Sequence, residues 1–313
     1  MNDAEYGVEI PVLGIPVRFQ SNDVRVIDIA RLAFDAWASA DVPADGDPGI
    51  DVCITRIAGD ERGEVVPVPH YEMPVESRVV LTTPGSRGVA DAGRRMVEAR
   101  VTDVLLRNAQ HFRYSVLEAL TLALLTRLDR QPFHAAALVH HDEAILLAGP
   151  SGTGKSTLAW TAVRTRRFSL LAEDVVYVQS RPPRLWGLPA FLHLPPAARM
   201  HFPELSELEP VLRANGKWKL AVDVRAAGIL SARPFADRAR IIALARHDGA
   251  PLVQPLSAVE LVQTLFQRHE AGFDVFARTI AQAMQPFTRA GGSRLTLGPE
   301  PATALPLLVS LLS

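Results

Sequence analysis

The sequence predicts an α/β protein in which a nucleotide-binding half follows a smaller α+β region. Three observations carry that prediction. The stretch Gly149-Pro150-Ser151-Gly152-Thr153-Gly154-Lys155-Ser156-Thr157 fits the pattern G-x-x-x-x-G-K-[ST] without a mismatch. It stands between a short apolar run, Ala144-Ile145-Leu146-Leu147-Ala148, and a breaker-poor segment, 156–166, that closes on Arg164, Arg166 and Arg167. Cations there suit a helix C-terminus, so the context reads as strand, glycine loop and helix. Further on, segment 168–178 sets two adjacent carboxylates, Glu173 and Asp174, inside an otherwise apolar strand. Glycines let backbone N–H groups turn inward around an anion, and a helix N-terminus adds its positive dipole end. In such a P-loop cradle Lys155 reaches the β- and γ-phosphates and the Ser156 hydroxyl holds Mg²⁺.

The chain has 313 residues, 48 % apolar and 21 % charged, which describes a globular protein with ample core and room for two domains. A net charge of −1 gives no overall electrostatic case for nucleic acid or for an anionic membrane surface. Cys53 is the single cysteine, so neither an intrachain disulfide nor a cysteine-based zinc site can form. Its setting, Ile50-Asp51-Val52-Cys53-Ile54, reads as a strand interior. The N-terminus lacks a basic n-region and an apolar h-region, and no apolar run reaches the roughly 18–20 residues of a membrane span. The expected location is cytoplasmic.

In order along the sequence, residues 8–19 read as two short strands broken at Leu13-Gly14. Ser21-Asn22-Asp23 offers a helix cap, followed by an apolar face through Val24, Ile27, Ala30, Leu32 and Phe34 to Trp37. Residues 42–49 form a Pro/Gly/Asp-rich loop. Strands are expected at 50–57 and 78–83, with Pro84-Gly85 as a turn, and a helix at 91–107. No His/Asp/Glu cluster and no glycine loop occurs in this region. It reads as an accessory domain, 1–110, for which substrate recruitment or homo-oligomer formation would be natural tasks. Segment 115–128 is apolar at most positions and reads as a buried helix, which puts the boundary near His111.

In the second half, 111–313, Phe133 to Val139 reads as a strand and Asp142-Glu143 as the turn of a hairpin into the cradle strand. His134 sits where chemistry is possible, although a satisfied strand-end histidine is the plainer reading. His140-His141 looks like a solvated turn. Glu173 and Asp174 project to opposite faces if their strand stays regular. One carboxylate orienting Mg²⁺ while the other takes a proton from an attacking hydroxyl is the functional reading; a metal anchor without a general base is the plainer one.

The order and intervals of His134, Gly149–Ser156 and Leu171-Ala172-Glu173-Asp174 resemble the C-terminal domain of HPr kinase/phosphorylase. They resemble still more closely the HPr-kinase-like proteins found with ribosomally made peptides, including lasso-peptide tailoring kinases. That resemblance implies a P-loop kinase fold related to phosphoenolpyruvate carboxykinase, with ATP and Mg²⁺ as cofactors. It implies an assisting role for His134, phosphate and metal binding by Lys155 and Ser156, and Asp174 as proton acceptor for a serine hydroxyl. Glu173 stands where those kinases usually carry a second aspartate. The signature L-E-I-R-G-L-G, which supplies a second metal ligand, has no counterpart; Leu185-Trp186-Gly187-Leu188-Pro189 and His193-Leu194-Pro195-Pro196 occupy its region. The resemblance therefore does not carry over a phosphorylase activity or HPr as substrate.

Lys217 and Lys219 alternate with Trp218 on a strand after Asn215-Gly216, a pattern open to phosphate or acidic-acceptor binding as well as to plain solvent exposure. Arg181-Pro182-Pro183-Arg184 reads as a loop, and Glu204, Glu207 and Glu209 as an acidic turn or a substitute metal ligand. The remainder, with a strand at 240–245, helices at 258–269 and 276–284, a strand at 294–297 and a helix at 302–312, completes α/β layers. Three functions stand open: a Mg·ATP-dependent kinase acting on a serine or threonine of a peptide or protein, a small-molecule phosphotransferase, and a non-catalytic nucleotide-binding switch. An N-K-x-D guanine-reading sequence is absent. The donor is open between ATP, another triphosphate and pyrophosphate.

Overall fold

The structure, a computed structural model, describes residues 5–38, 42, 46–58, 68–187, 189–212, 217–267 and 276–312. The chain divides into two compact units, Met1–Arg130 and Gln131–Ser313, each a mixture of helices and sheet. The division falls after Arg130 rather than near His111, for reasons that lie in the N-terminal unit. No helix among the described residues is long and apolar enough to cross a membrane.

The N-terminal unit opens with a hairpin of β1 (Tyr6–Val12) and β2 (Ile15–Ser21). Leu13 and Gly14 turn it with φ of +51° and +77°, the two-residue geometry that matches strand twist. α1 (Val24–Ala38) follows the expected cap, where Asp23 Oδ1 accepts the Arg25 N–H at 3.0 Å. Next come β3 (Ile50–Ile57), β4 (His70–Val75), β5 (Arg78–Thr83), β6 (Ser86–Asp91) and β7 (Met96–Thr102). The sheet runs β1-β2-β3-β7-β6-β5-β4, parallel at β2/β3 and β3/β7 and antiparallel elsewhere. Cys53 is buried within β3, as its apolar neighbours implied.

The helix expected over 91–107 is not formed. Val97, Ala99 and Val101 are buried while Glu98 and Arg100 are exposed, a period of two that pairs β7 with both β3 and β6. Sheet pairing on both edges overrides the helix-forming tendency of individual residues there. Only α2 (Asp103–Leu106) is helical, followed by α3 (Ala109–Phe112), a π turn at Arg113–Glu118 and α4 (Ala119–Leu125). Arg113 and Glu118, five apart, form an ion pair of 2.6 Å across that turn. Leu120 lies so close to Gly88 that a Cβ there would come within 2.6 Å of it. This helical run therefore covers the N-terminal sheet. The buried Arg130 side chain donates to the Leu13 carbonyl at 2.6 Å and pairs with Asp47 at 3.2 Å, which carries the unit to that residue.

The C-terminal unit contains β8 (Gln131–His140), β9 (Glu143–Ala148), α5 (Lys155–Val163), β10 (Ser169–Ala172) and β11 (Val175–Ser180). β12 (Pro183–Trp186), β13 (Phe191–Leu194), β14 (Pro210–Leu212), β15 (Trp218–Asp223) and β16 (Phe235–Ala236) follow. It ends with β17 (Ala239–Arg246), β18 (Leu252–Leu256), α6 (Ala258–Phe266), α7 (Ala277–Ala283), α8 (Gln285–Thr288), β19 (Gly292–Leu297) and α9 (Leu305–Ser310). The main sheet runs β16-β12-β11-β8-β9-β17-β19-β18, with β10 also paired to β8, and β13, β15 and β14 form a small separate sheet. β9, β17 and β19 are parallel, and β8 meets β9 as an antiparallel hairpin. Alternate residues of β8 feed two cores. Ala136 and Leu138 pack with Leu158, Ala159 and Trp160 of α5, whereas Ala135 and Ala137 pack with Leu261, Ile280 and Met284 of α6, α7 and the turn into α8. The segment beyond Gln267 in the expected helix 258–269, including His269, lies outside the described residues, as does Asn215-Gly216.

In the N-terminal unit, one ion-pair network ties together the starts of α1 and α2 and the end of β3. Arg25 pairs with Asp23 at 2.7 Å and with Asp103 at 2.6 Å, and Arg56 reaches Asp103 at 3.2 Å. Hydrogen bonding from Arg25 holds both carboxyls below the usual carboxylate range, against the opposing effect of burial. Depressed carboxylates stabilise the fold above their ordinary pKa and lose that contribution as pH falls through the folded value. Arg25→Ala is therefore expected to lower the thermal midpoint of this unit at pH 7, and the gap from the unaltered protein should narrow as pH drops below about 4. Melts across that range check it; a gap independent of pH would count against the network.

Candidate functional site

β9 is buried along most of its length and stops at Ala148 between β8 and β17, so the loop it feeds starts from a rigid edge. Gly149 follows because nothing larger fits: a Cβ there would lie 2.9 Å from the Leu244 carbonyl oxygen. Gly152 and Gly154 take φ of +87° and +104°, a region that side chains disfavour. Between them the Thr153 N–H and hydroxyl both donate to the Pro150 carbonyl, at 3.2 and 2.8 Å, which closes a tight turn. The Leu158 N–H returns to the Gly154 carbonyl at 2.8 Å, so α5 begins at once and the N–H groups of Lys155, Ser156 and Thr157 have no intrahelical acceptor. No acidic side chain stands in that first turn.

Lys155 is buried, 6 % exposed, and its ammonium donates to the carbonyls of Gly149 at 2.7 Å and Pro150 at 3.2 Å. A buried ammonium needs acceptors, and the loop supplies them from its own backbone. Ser151 stands beside a second cation: the Lys217 ammonium is 3.4 Å from its hydroxyl. Of the alternating pair considered from sequence, only Lys217 has such a contact with the loop, and Trp218 is largely exposed.

The carboxylate strand differs from expectation. Residues 168–178 form two strands, with Glu173 and Asp174 in a bend between β10 and β11. β10 shifts register against β8 between Leu170 and Ala172, and pairing resumes with Val175 opposite His134. The break sends the two acids to different partners. Glu173, with its side chain 12 % exposed, accepts from Ser156 Oγ at 3.2 Å and lies 3.3 Å from His193 Nδ1. Asp174, 62 % exposed, lies 3.3 Å from His134 Nδ1. Thus Ser156 and Glu173 come together, as do His134 and Asp174, while Asp174 does not join Ser156. Among the described residues, no three or more His, Cys, Asp or Glu side chains gather to hold a metal. Ser156 and Glu173 nevertheless make a hard-oxygen pair of the kind Mg²⁺ uses when phosphate oxygens supply the other contacts.

His193 is the residue that sequence reasoning missed. It sits in β13 between buried Leu192 and Leu194 and contacts a carboxylate that lies twenty positions upstream. A lone polar residue between apolar neighbours was its only signal. Glu204 pairs with Arg164 at 2.8 Å rather than with the cradle. Arg184, expected in a loop, is buried within β12 and pairs with Asp237 at 2.8 Å. His140, expected in a solvated turn, packs on His141 and Phe168 at 4.2 and 5.4 Å, and burial pushes its pKa down. Gly187, in the stretch that replaces the glycine-rich signature, is structural: a Cβ there would fall on the Leu171 carbonyl, just before the bend.

No family model matches the chain, and no curated protein matches it. Among solved structures, it is similar to the Hpr(Ser) kinase/phosphatase from Coxiella burnetii, at 16 % identity over 58 % of this chain and 94 % of that one, with a TM-score of 0.30. That level of likeness establishes no shared function.

Proposed function

We propose that the C-terminal unit binds Mg·ATP and transfers the γ-phosphoryl group to a serine or threonine hydroxyl of a peptide or protein. The observation that supports this reading is the separation of two neighbouring carboxylates onto different partners. A nucleotide hydrolase or switch needs one acid to orient a metal. A kinase also uses a second acid, accessible to its acceptor, to take a proton. Glu173 is enclosed beside Ser156 and His193, and Asp174 is open to solvent beside His134.

In this reading the loop N–H groups and the start of α5 hold the phosphates of the donor, from Gly149 through Pro150, Ser151, Gly152, Thr153 and Gly154 to Thr157. Lys155 exchanges its backbone carbonyl partners for oxygens of the β- and γ-phosphates, trading neutral acceptors for charged ones. Ser156 and Glu173 would hold Mg²⁺, which would supply charge neutralisation to the donor's phosphates. His193 keeps the Glu173 carboxylate turned toward Ser156 and acts as a positioning residue. Asp174 accepts the proton of the acceptor hydroxyl as the new O–P bond forms and the bond to the β-phosphate oxygen breaks, releasing ADP. His134 holds the Asp174 carboxylate in place. Most of the acceleration comes from positioning and charge neutralisation.

Purified protein with γ-labelled ATP and serine-bearing peptides is expected to pass label to peptide; label found only in water or in a small molecule would overturn the reading. Lys155→Ala should weaken Mg·ATP binding by at least about ten-fold, the loss expected for a charged hydrogen bond. Asp174→Asn should still bind Mg·ATP while transfer falls by roughly 10²–10⁴-fold. Near-normal turnover in that variant would remove Asp174 from the role of proton acceptor. His193→Ala should raise the Mg²⁺ concentration needed for ATP binding by about 10–100-fold, the usual effect of losing a partner behind a metal ligand. An unchanged Mg²⁺ requirement would return His193 to packing alone.

A further inference from the structure

Strands β8, β9, β17 and β19 and helices α6 and α7 line a cavity of about 520 Å³, within the size range of small-ligand sites. It meets the glycine loop at Gly149 and Pro150, and His134 is among its lining residues. Much of its wall is apolar, with Phe133, Leu265, Phe266 and Ile280. Among the described lining residues, Arg294 is the one permanently charged side chain. Its guanidinium offers five N–H donors and, among the described residues, gives one bond, of 3.1 Å, to the Thr264 hydroxyl. Glu260 is near enough to feel that charge, but its carboxylate is taken by the N–H and hydroxyl of Ser257 in the cap of α6. Toward the described residues this half-buried guanidinium keeps donors to spare, and the planar fork of such a group matches a carboxylate.

Beside the start of α5, Thr157, Leu158, Pro195, Leu297 and Pro301 line a smaller cavity of about 140 Å³. That cavity borders the helix end of the loop at Gly154, and the larger one borders the strand end at Gly149 and Pro150.

We propose that the larger cavity is the acceptor subsite and takes a peptide segment that sets an apolar side chain against Phe133, Phe266 and Ile280 and a carboxylate on Arg294. The word acceptor rests on the phosphoryl-transfer reading above; the carboxylate-binding cavity does not. The carboxylate comes from the terminal carboxyl group of the peptide or from an acidic side group, and the two separate by experiment.

Three synthetic peptides serve as probes: Ala-Leu-Ser as free acid, Ala-Leu-Ser-amide, and Ala-Leu-Ser-Asp-amide. Each is titrated calorimetrically into the full-length protein with Mg²⁺ and a non-hydrolysable ATP analogue, then offered γ-labelled ATP. A carboxylate-bearing peptide is expected to bind roughly 10–100-fold more tightly than the plain amide, the worth of a charge-assisted pair. Whichever of the two binds more tightly names the source. Arg294→Gln should abolish that preference while leaving Mg·ATP affinity unchanged. Arg294→Lys, which keeps the charge but not the fork, should fall between, and it carries the test if the glutamine variant does not fold. Equal binding of all three peptides, or binding of none, overturns the proposal. A loss of Mg·ATP affinity in the Arg294 variants also overturns it, by giving the cavity to the nucleoside. Tight carboxylate-dependent binding without label transfer leaves the cavity standing and removes the kinase reading.

Discussion

Adjacent residues of a regular strand point to opposite faces, so two neighbouring carboxylates cannot both turn out of the pleat unless the strand yields. Here it yields between β10 and β11, where a register shift against β8 frees Glu173 and Asp174 from the pleat. The geometry of the site depends on that bend. It lets Glu173 turn into an enclosed contact with Ser156 and His193, and it leaves Asp174 exposed beside His134. The close approach of Gly187 to the Leu171 carbonyl packs the backbone just ahead of it. The bend is thus flanked by β8 and by Gly187, just past the end of β12.

Charge placement follows the same logic. An ammonium at 6 % exposure is costly unless acceptors surround it, and Lys155 finds them in carbonyls of its own loop. Those acceptors are neutral backbone carbonyls, of Gly149 and Pro150. Glu173 answers a comparable demand with a hydroxyl and an imidazole. Arg294 is the contrasting case, a cation in a largely apolar cavity wall that, among the described residues, gives one hydrogen bond, to Thr264.

The parts of this arrangement that are legible in the sequence are those carried by consecutive residues. The cradle from Gly149 to Thr157, the hairpin turn at Leu13-Gly14 and the strands at 50–57 and 78–83 all depend on local backbone demands that a few neighbouring side chains reveal. Segment 91–107 reads as a helix from sequence because its residues tolerate one, and only pairing with β3 and β6 makes its middle, 96–102, a strand. The boundary moves to Arg130 for a similar reason: Leu120 covers Gly88, and Arg130 bonds to Leu13, contacts between residues far apart in sequence.

By itself the sequence determined the glycine-loop pattern, the short apolar strand before it, the helix after it and the presence of paired acids, because each is a property of a short run of residues. Tertiary structure decided which acid meets Ser156, that His193 stands behind it, that His134 stands beside the other, and that Arg294 faces a cavity bordering the loop. Those are distances between residues tens to hundreds of positions apart, and they are set by sheet order and register, which no local pattern encodes.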